Sequence, residues 1–285
     1  IKVAFELEFY LISRRKKLSE KPIPAESKRT EKKSEETQVY SMSDLDDFYD
    51  FLEDVNEYCK VQDIPASTAS SEFAPGQFEI NLNYTDNILK AADDASLLRR
   101  VIKETAIKHE YEATFLSKPF LNEAGSGMHV HISLFDEDDK NIFSDKDNNS
   151  TKELSYAIGG LQNMMFDSFA FFASNQNAYR RFEPDIFVPV NTSWGYNNRS
   201  VAFRIPVSDN KSKRIEHRVA GAEANAYLVL ASILSGIEDG LVNKRKASDP
   251  REDNACVDPD PRMPKNIDEA LMILESSDLM KKYLT

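Results

Sequence analysis

Two glutamates, Glu6 and Glu8, stand two residues apart in the run Ile-Lys-Val-Ala-Phe-Glu-Leu-Glu-Phe-Tyr-Leu. The run is otherwise rich in apolar and aromatic residues and reads as a strand, in which residues i and i+2 leave by one face. Two carboxylates held side by side in a core-like setting repel each other unless a cation or a proton intervenes. An edge strand with one wet face is the alternative. Glu72 and Glu79 bracket Ala-Pro-Gly-Gln, and Glu79 again lies among apolar strand residues, Phe78, Ile80 and Leu82. His129 and His131 share one face of a strand that follows Gly125-Ser126-Gly127, a turn small enough to bring backbone N–H groups to an anion. A basic group follows between Arg180 and Arg218: Arg181, Arg199, Arg204, Arg214 and Arg218. On a strand Arg214, Glu216 and Arg218 point one way, which makes either a surface ion-pair ladder or an anion pocket built from guanidinium forks. Strand-borne glutamates with a histidine suit hard divalent cations, Mg²⁺ or Mn²⁺, at two nearby sites. Arginines beside them suit phosphoryl transfer. From spacing alone the chemistry is metal-dependent handling of a phosphorylated or carboxylate substrate.

These residues need elements to carry them. Apolar residues recurring at three- and four-residue steps predict helices over 44–59, 88–109, 153–173 and 222–242, with a last helix from about Asn266. Alternating patterns predict strands at the start of the chain and over 71–82 (a turn entering a strand), 111–118, 128–135, 200–206 and 213–219. Residues 14–38, dense in Lys, Arg, Glu and Ser, predict a solvated, mobile loop, and the Pro- and Asp-rich stretch 249–264 predicts another. Helices and strands interleave without a clean βαβ period, so the expected class is α+β with a largely antiparallel sheet. The 285 residues carry 41% hydrophobic and 29% charged residues, enough for a packed core, and a net charge of −12. That charge disfavours a nucleic-acid partner, and the lack of a long apolar run or signal-peptide pattern disfavours a membrane one. Two cysteines, Cys59 and Cys256, are too few for a disulfide framework or a zinc cluster. A cytoplasmic protein is expected.

Five motifs in order carry a resemblance: Glu-Leu-Glu-Phe-Tyr-Leu, Glu-Phe-Ala-Pro-Gly-Gln-Phe-Glu, Lys-Pro-Phe with Gly-Ser-Gly-Met-His-Val-His, Asn-Arg-Ser with Arg-Ile-Pro, and Arg-Ile-Glu-His-Arg. From Glu6 to Arg218 the sequence resembles the catalytic domain of the glutamine synthetase family. The resemblance implies an α+β domain on a curved, largely antiparallel sheet flanked by helices. It implies one metal held by Glu8, Glu72 and Glu79 and a second by Glu6, His129 and Glu216. It places His131 and Arg204 at ATP, Gly125 and Arg181 on glutamate, and Arg199, Arg204 and Arg218 around the transferring phosphate and the γ-carboxylate. The implied reaction has two steps. ATP phosphorylates the γ-carboxylate of glutamate, and a nitrogen nucleophile then displaces phosphate. A ring-type homo-oligomer, a dodecamer of two hexamers, is implied for the full-length protein. So is an N-terminal β-grasp domain ahead of Ile1, since the chain opens directly on a strand.

The sequence also departs from the family pattern. Ser70 and Ser71 stand where His is frequent, and Ala124 stands where Asn often precedes Gly-Ser-Gly. Six residues after Arg181, where ammonia-using members carry a flap glutamate, this chain has Phe187, and its one Trp, Trp194, follows. That combination resembles the branch that joins glutamate to polyamines or alkylamines, with Phe187 and Trp194 as walls for the amine. Ordinary glutamine synthetase and a non-catalytic structural protein of the family are the alternatives. Deletion of Glu216 is expected to relieve like-charge repulsion in the metal-free protein.

Overall fold

The computed structural model describes residues 1–17, 19–31, 39–184 and 187–284. Strand β1 (Lys2–Ser13) runs through the middle of an eight-stranded sheet. Its odd-numbered side chains Val3, Phe5, Leu7, Phe9 and Leu11 are fully buried, while Glu6 and Glu8 leave by the opposite face. Burying such side chains is worth about 1.5–3 kcal/mol each, which holds the strand in a register that a one-residue slip would invert.

Two short helices, α1 (Met42–Asp47) and α2 (Tyr49–Val61), lead into β2 (Ala66–Ser71) and β3 (Gln77–Leu82). Helix α3 (Ile88–Lys108) follows, then β4 (Tyr111–Thr114) and β5 (Met128–Ser133). Helices α4 (Lys152–Met164) and α5 (Phe169–Phe172) precede three short strands, β6 (Trp194–Tyr196), β7 (Phe203–Ile205) and β8 (Ile215–His217). Helices α6 (Ala226–Val242), α7 (Ile267–Ser276) and α8 (Asp278–Leu284) close the order. The sheet runs β2-β3-β1-β5-β8-β7-β6, with β4 also paired to β1. Every pairing is antiparallel except β6 with β7. The fold is α+β, an open, largely antiparallel sheet with helices packed on its apolar face.

The structure revises several expected elements, each for a local reason. The helix expected over 44–59 breaks at Phe48, whose backbone leaves the helical region while its ring packs edge-on to Phe78 and Tyr111 in the core. The long helix expected over 153–173 divides after Met164, where the Ser168 hydroxyl donates to the Met164 carbonyl at 2.9 Å and competes with the helix ladder. Strand β2, Ala-Ser-Thr-Ala-Ser-Ser, has no β-forming apolar run. It exists because β3 offers it a partner, with a bulge between Ala66 and Thr68. In the polar stretch 14–38, residues 18 and 32–38 lie outside the described residues. Of the rest, Pro24 bridges Ile12, the Ala25 N–H donates to the Leu11 carbonyl at 3.0 Å, and Ala25 and Ser27 are buried. Part of that stretch is therefore tied to β1. Among the described residues no helix is long and apolar enough to cross a membrane.

Candidate active site

The face of the sheet opposite the core gathers the charged residues by register. Glu6 lies opposite His129, Glu8 opposite Glu79, His131 opposite Glu216, and Glu216 opposite Arg204. Five strands thus bring together residues more than 200 positions apart. Two sets of ligand atoms lie within 4.8 Å of one another: Glu6, Glu79 and His129, and Glu6, His131 and Glu216. Glu6 spans the two imidazoles, 3.3 Å from His129 Nδ1 and 2.7 Å from His131 Nε2. Glu8 accepts from the Gly127 N–H at 2.7 Å and lies 3.6 Å from His129 Nε2. Glu72 enters from the turn after β2, close enough to feel Glu8, Glu6, Arg199 and Arg218.

The electrostatics separate these groups. Burial raises the Glu72 carboxyl and the charge of Glu8 adds to it, pushing it up to about 8. Burial also raises Glu79, with Glu6 and Glu8 adding, well above the ordinary carboxylate range. Glu216 goes the other way. Burial alone would raise it, but Arg218, His131 and His129 outweigh that and bring it to about 2. Arg204 Nη1 donates to Glu216 Oε2 at 2.7 Å, and Arg218 donates to the other oxygen. Glu6 is likewise held well below its usual value, because His131 and His129 outweigh the burial that would raise it.

A donor set of carboxylate oxygens and imidazole nitrogens fits Mg²⁺ or Mn²⁺. His131 Nε2, buried and without a properly aligned hydrogen-bond partner, and the raised Glu72 and Glu79 show that the protein's own groups leave this cluster uncompensated. The residues present therefore fit divalent cations.

Arg181 sits in a 3-10 turn (Ala178–Arg181) and is wholly buried, and burial lowers its guanidinium to about 10. It donates to the Val219 and Arg218 carbonyls at 2.8 and 3.3 Å. It packs so tightly on the Gly-Ser-Gly turn that a Cβ on Gly125 would come within 2.8 Å of its Cγ, and one on Gly127 within 2.6 Å of Nη2. Gly127 is a packing requirement of this arginine, and Gly125 of the arginine together with the Ser117 carbonyl, 2.7 Å from where its Cβ would lie. Arg199 is exposed at the mouth of the site, where its Nη2 donates to the Tyr40 hydroxyl at 2.8 Å.

The structure thus brings together Glu6, Glu8, Glu72, Glu79, His129, His131 and Glu216, with Arg199, Arg204 and Arg218 around them and Arg181 and Gly125 adjoining. Within that cluster the close grouping joins His131 to Glu6 and Glu216, and Glu79 to Glu6 and His129. The expected sets grouped Glu79 with Glu8 and Glu72 and left His131 to ATP. Phe187 is 58% exposed, with a φ of 55°, in a loop whose residues 185 and 186 lie outside the described residues. Trp194 does not serve as a second amine wall. It is buried, Nε1 donates to the Ser248 carbonyl at 2.7 Å, and its ring packs edge-on to Tyr196, so no ring face remains for a ligand. Arg214, expected to share a face with Glu216 and Arg218, donates from Nε to His131 Nδ1 at 3.0 Å. With Lys2, Tyr84 and Lys211 it lines a cleft of ≈ 840 Å³ that opens beside Glu6 and His131. The basic run Lys211-Ser-Lys-Arg214, two residues ahead of Glu216, was the available signal for that cleft. Nothing in the sequence pointed to Tyr40.

Acids pushed toward the protonated form and paired guanidiniums thus meet on one sheet face. The chain belongs to the glutamine synthetase family: the family model described as glutamine synthetase, catalytic domain, matches residues 1–285. It is 42% identical over 282 residues to gamma-glutamylputrescine synthetase PuuA of Escherichia coli, covering 99% of this chain and 60% of that protein. It is 36% identical over 285 residues to glutamate–isopropylamine ligase of a Pseudomonas species, covering 98% and 61%. It is 41% identical to glutamine synthetase of Thermotoga maritima over 193 residues, covering 67% and 44%. Among solved structures it is similar to GmaS in its ADP complex, with a TM-score of 0.85 and 26% identity, covering all of this chain and 65% of that one. The chain spans about three fifths of the length of the first two curated relatives.

Proposed function

We propose that the protein containing this domain is an ATP-dependent ligase that joins the γ-carboxylate of glutamate to an amine through γ-glutamyl phosphate. The observation that carries the reading is the meeting of the acid cluster with Arg199, Arg204 and Arg218 on one sheet face, in a chain 42% and 36% identical to two amine ligases. In the first step a γ-carboxylate oxygen attacks the terminal phosphorus of ATP, and ADP leaves. In the second the amine nitrogen attacks the acyl carbon, phosphate leaves, and the nitrogen loses a proton. Glu6, Glu8, Glu72, Glu79, His129 and Glu216 hold divalent cations, Mg²⁺ or Mn²⁺. Such cations, when bound, offset the repulsion between carboxylate and triphosphate.

Arg204 and Arg218, already oriented by Glu216, present guanidiniums to the phosphoryl group, and Arg199 joins them from the mouth. Arg181 and Gly125 receive glutamate. His131, Arg204 and the cleft beside them receive ATP, with Lys211 and Arg214 as further cations. Phe187 offers a ring face to an alkyl chain or a cationic tail, and it cannot deprotonate ammonium. A net charge of −12 favours the approach of a polycation, so polyamines lead over monoamines. The working form is a ring-type homo-oligomer, as family membership suggests. It acts in the cytoplasm, where ATP and glutamate are found.

The test is phosphate release by the full-length enzyme from ATP and glutamate with ammonium, methylamine, ethanolamine, putrescine and spermidine at matched free-base concentrations. An amine of several carbons should give the highest kcat/KM, and Phe187→Glu should move preference toward ammonium by at least about tenfold. If ammonium is the best substrate of the unaltered enzyme, it is a glutamine synthetase and Phe187 does not set the nucleophile.

A further inference from the structure

The turn Ala124–Gly127 is held in two different ways along its length. At its exit, backbone does the work: the Ser126 carbonyl accepts from the Ala222 N–H at 3.0 Å, and the Gly127 carbonyl from the Glu8 N–H at 3.1 Å. At its entry, side chains do. The Ala124 carbonyl accepts from the Tyr10 hydroxyl at 2.6 Å, across 114 residues of sequence. The Gly125 carbonyl accepts from Gln77 Nε2 at 3.0 Å, and the same amide's oxygen accepts from the Ala74 N–H at 3.2 Å. Both side chains are buried, Tyr10 completely, and the Tyr10 ring is fixed edge-on to Phe120. Ala124 brings no polar side chain of its own to the turn. Among the described residues the N–H of Gly125 donates to no protein group, while those of Ser126 and Gly127 donate to the Ser117 carbonyl and Glu8.

We infer that Tyr10, with Gln77, is a positioning residue for glutamate: its hydroxyl sets the Ala124–Gly125 peptide so that the unpaired Gly125 N–H faces the substrate. The inference rests on the reading that Gly125 and Arg181 hold glutamate. The physical reason is that a peptide plane is rigid. Pinning the carbonyl of residue 124 therefore fixes the direction of the N–H of residue 125, and no backbone partner does that here. The contact is with a part of glutamate that does not react, so its loss weakens ground state and transition state alike and appears in KM.

Tyr10→Phe keeps the ring packing and removes only the hydroxyl. In the full-length enzyme it should raise KM for glutamate roughly three- to tenfold, the equivalent of one hydrogen bond, and leave kcat and the KM values for ATP and the amine within about twofold. Gln77→Leu should act in the same direction. Amide hydrogen exchange across 123–128 should be faster in ligand-free Tyr10→Phe than in the unaltered enzyme. An unchanged KM for glutamate, or KM values for all three substrates rising together, overturns the inference, since a merely structural hydroxyl would loosen the whole site. In the unaltered enzyme, glutamate with a non-hydrolysable ATP analogue should slow exchange across 123–128. Absence of that protection means that the turn does not hold glutamate, and the inference falls with the reading beneath it. Protection there, with no effect of Tyr10→Phe on KM, overturns the inference alone.

Discussion

The two halves of the charged face differ in how their charges are balanced. On the β7–β8 side Glu216 lies between Arg204 and Arg218, each of which donates to one of its oxygens, and its carboxyl is held low. On the β1–β3 side Glu72 and Glu79 meet Glu6 and Glu8 with, among the described residues, no guanidinium bonded to either, and both are pushed toward the protonated form. One half is an ion-pair network, and in the other the acids repel one another. Arginines held in place cost no reorganisation when phosphate charge develops, whereas acids that repel one another gain most from a cation set between them.

The largest effect that could break this comparison comes from Glu216→Ala. Its carboxylate is 1% exposed between two guanidiniums, so the metal-free protein should lose about 3–5 kcal/mol along with phosphoryl transfer, as buried charges are left unpaired. That reverses the expectation that deleting Glu216 relieves repulsion, because the tertiary structure gives this acid cations rather than acids as its nearest partners. A thermal melt in chelator decides it: an unchanged midpoint would mean that the two arginines find other partners.

The second effect is a pH dependence of the opposite half. The folded protein keeps a proton on Glu72 that the unfolded chain releases near 4.5, so the folded state binds more protons between that value and about 8, and the raised Glu79 acts in the same direction. Stability without metal should therefore fall as pH rises through that window, by on the order of 2–3 kcal/mol, and Mg²⁺ or Mn²⁺ should restore it. Melts at pH 5, 6.5 and 8, with and without the cation, test this. A flat profile in chelator would show that the acids are already compensated.

The smallest effect sharpens the contrast. Glu79→Gln keeps the shape and the Asn81 hydrogen bond while removing one charge from the repelling cluster. At pH 8 in chelator it should stabilise the domain by about 1 kcal/mol, although it weakens metal binding measured by calorimetry. Opposite signs for Glu79→Gln and Glu216→Ala in the same melt are the signature of the two halves. Equal signs would remove the distinction.

Much of this was legible in the chain. The alternation around Glu6 and Glu8 determined that both acids share a face, because period-two geometry is a local property of strands. The order of the five motifs identified the family and, with it, nearly every residue that meets on the charged face. Glu216, flanked by Arg214 and Arg218, already differs in sequence from Glu79, which lies among apolar residues. What the sequence could not show is the second guanidinium, since only the pairing of β8 with β7 puts Arg204 against Glu216. The same holds for Trp194, whose place beside Phe187 in sequence suggested a shared pocket. The Ser248 carbonyl and the packing of β6 draw it into the core instead. Tyr10 shows it most plainly: nothing around it in the sequence singled it out, and its partner at Ala124 exists only once β1 and the Gly-Ser-Gly turn have met. Strand period and motif order are fixed by bonds between neighbours, whereas burial and the long-range part of charge compensation depend on which distant strands pair.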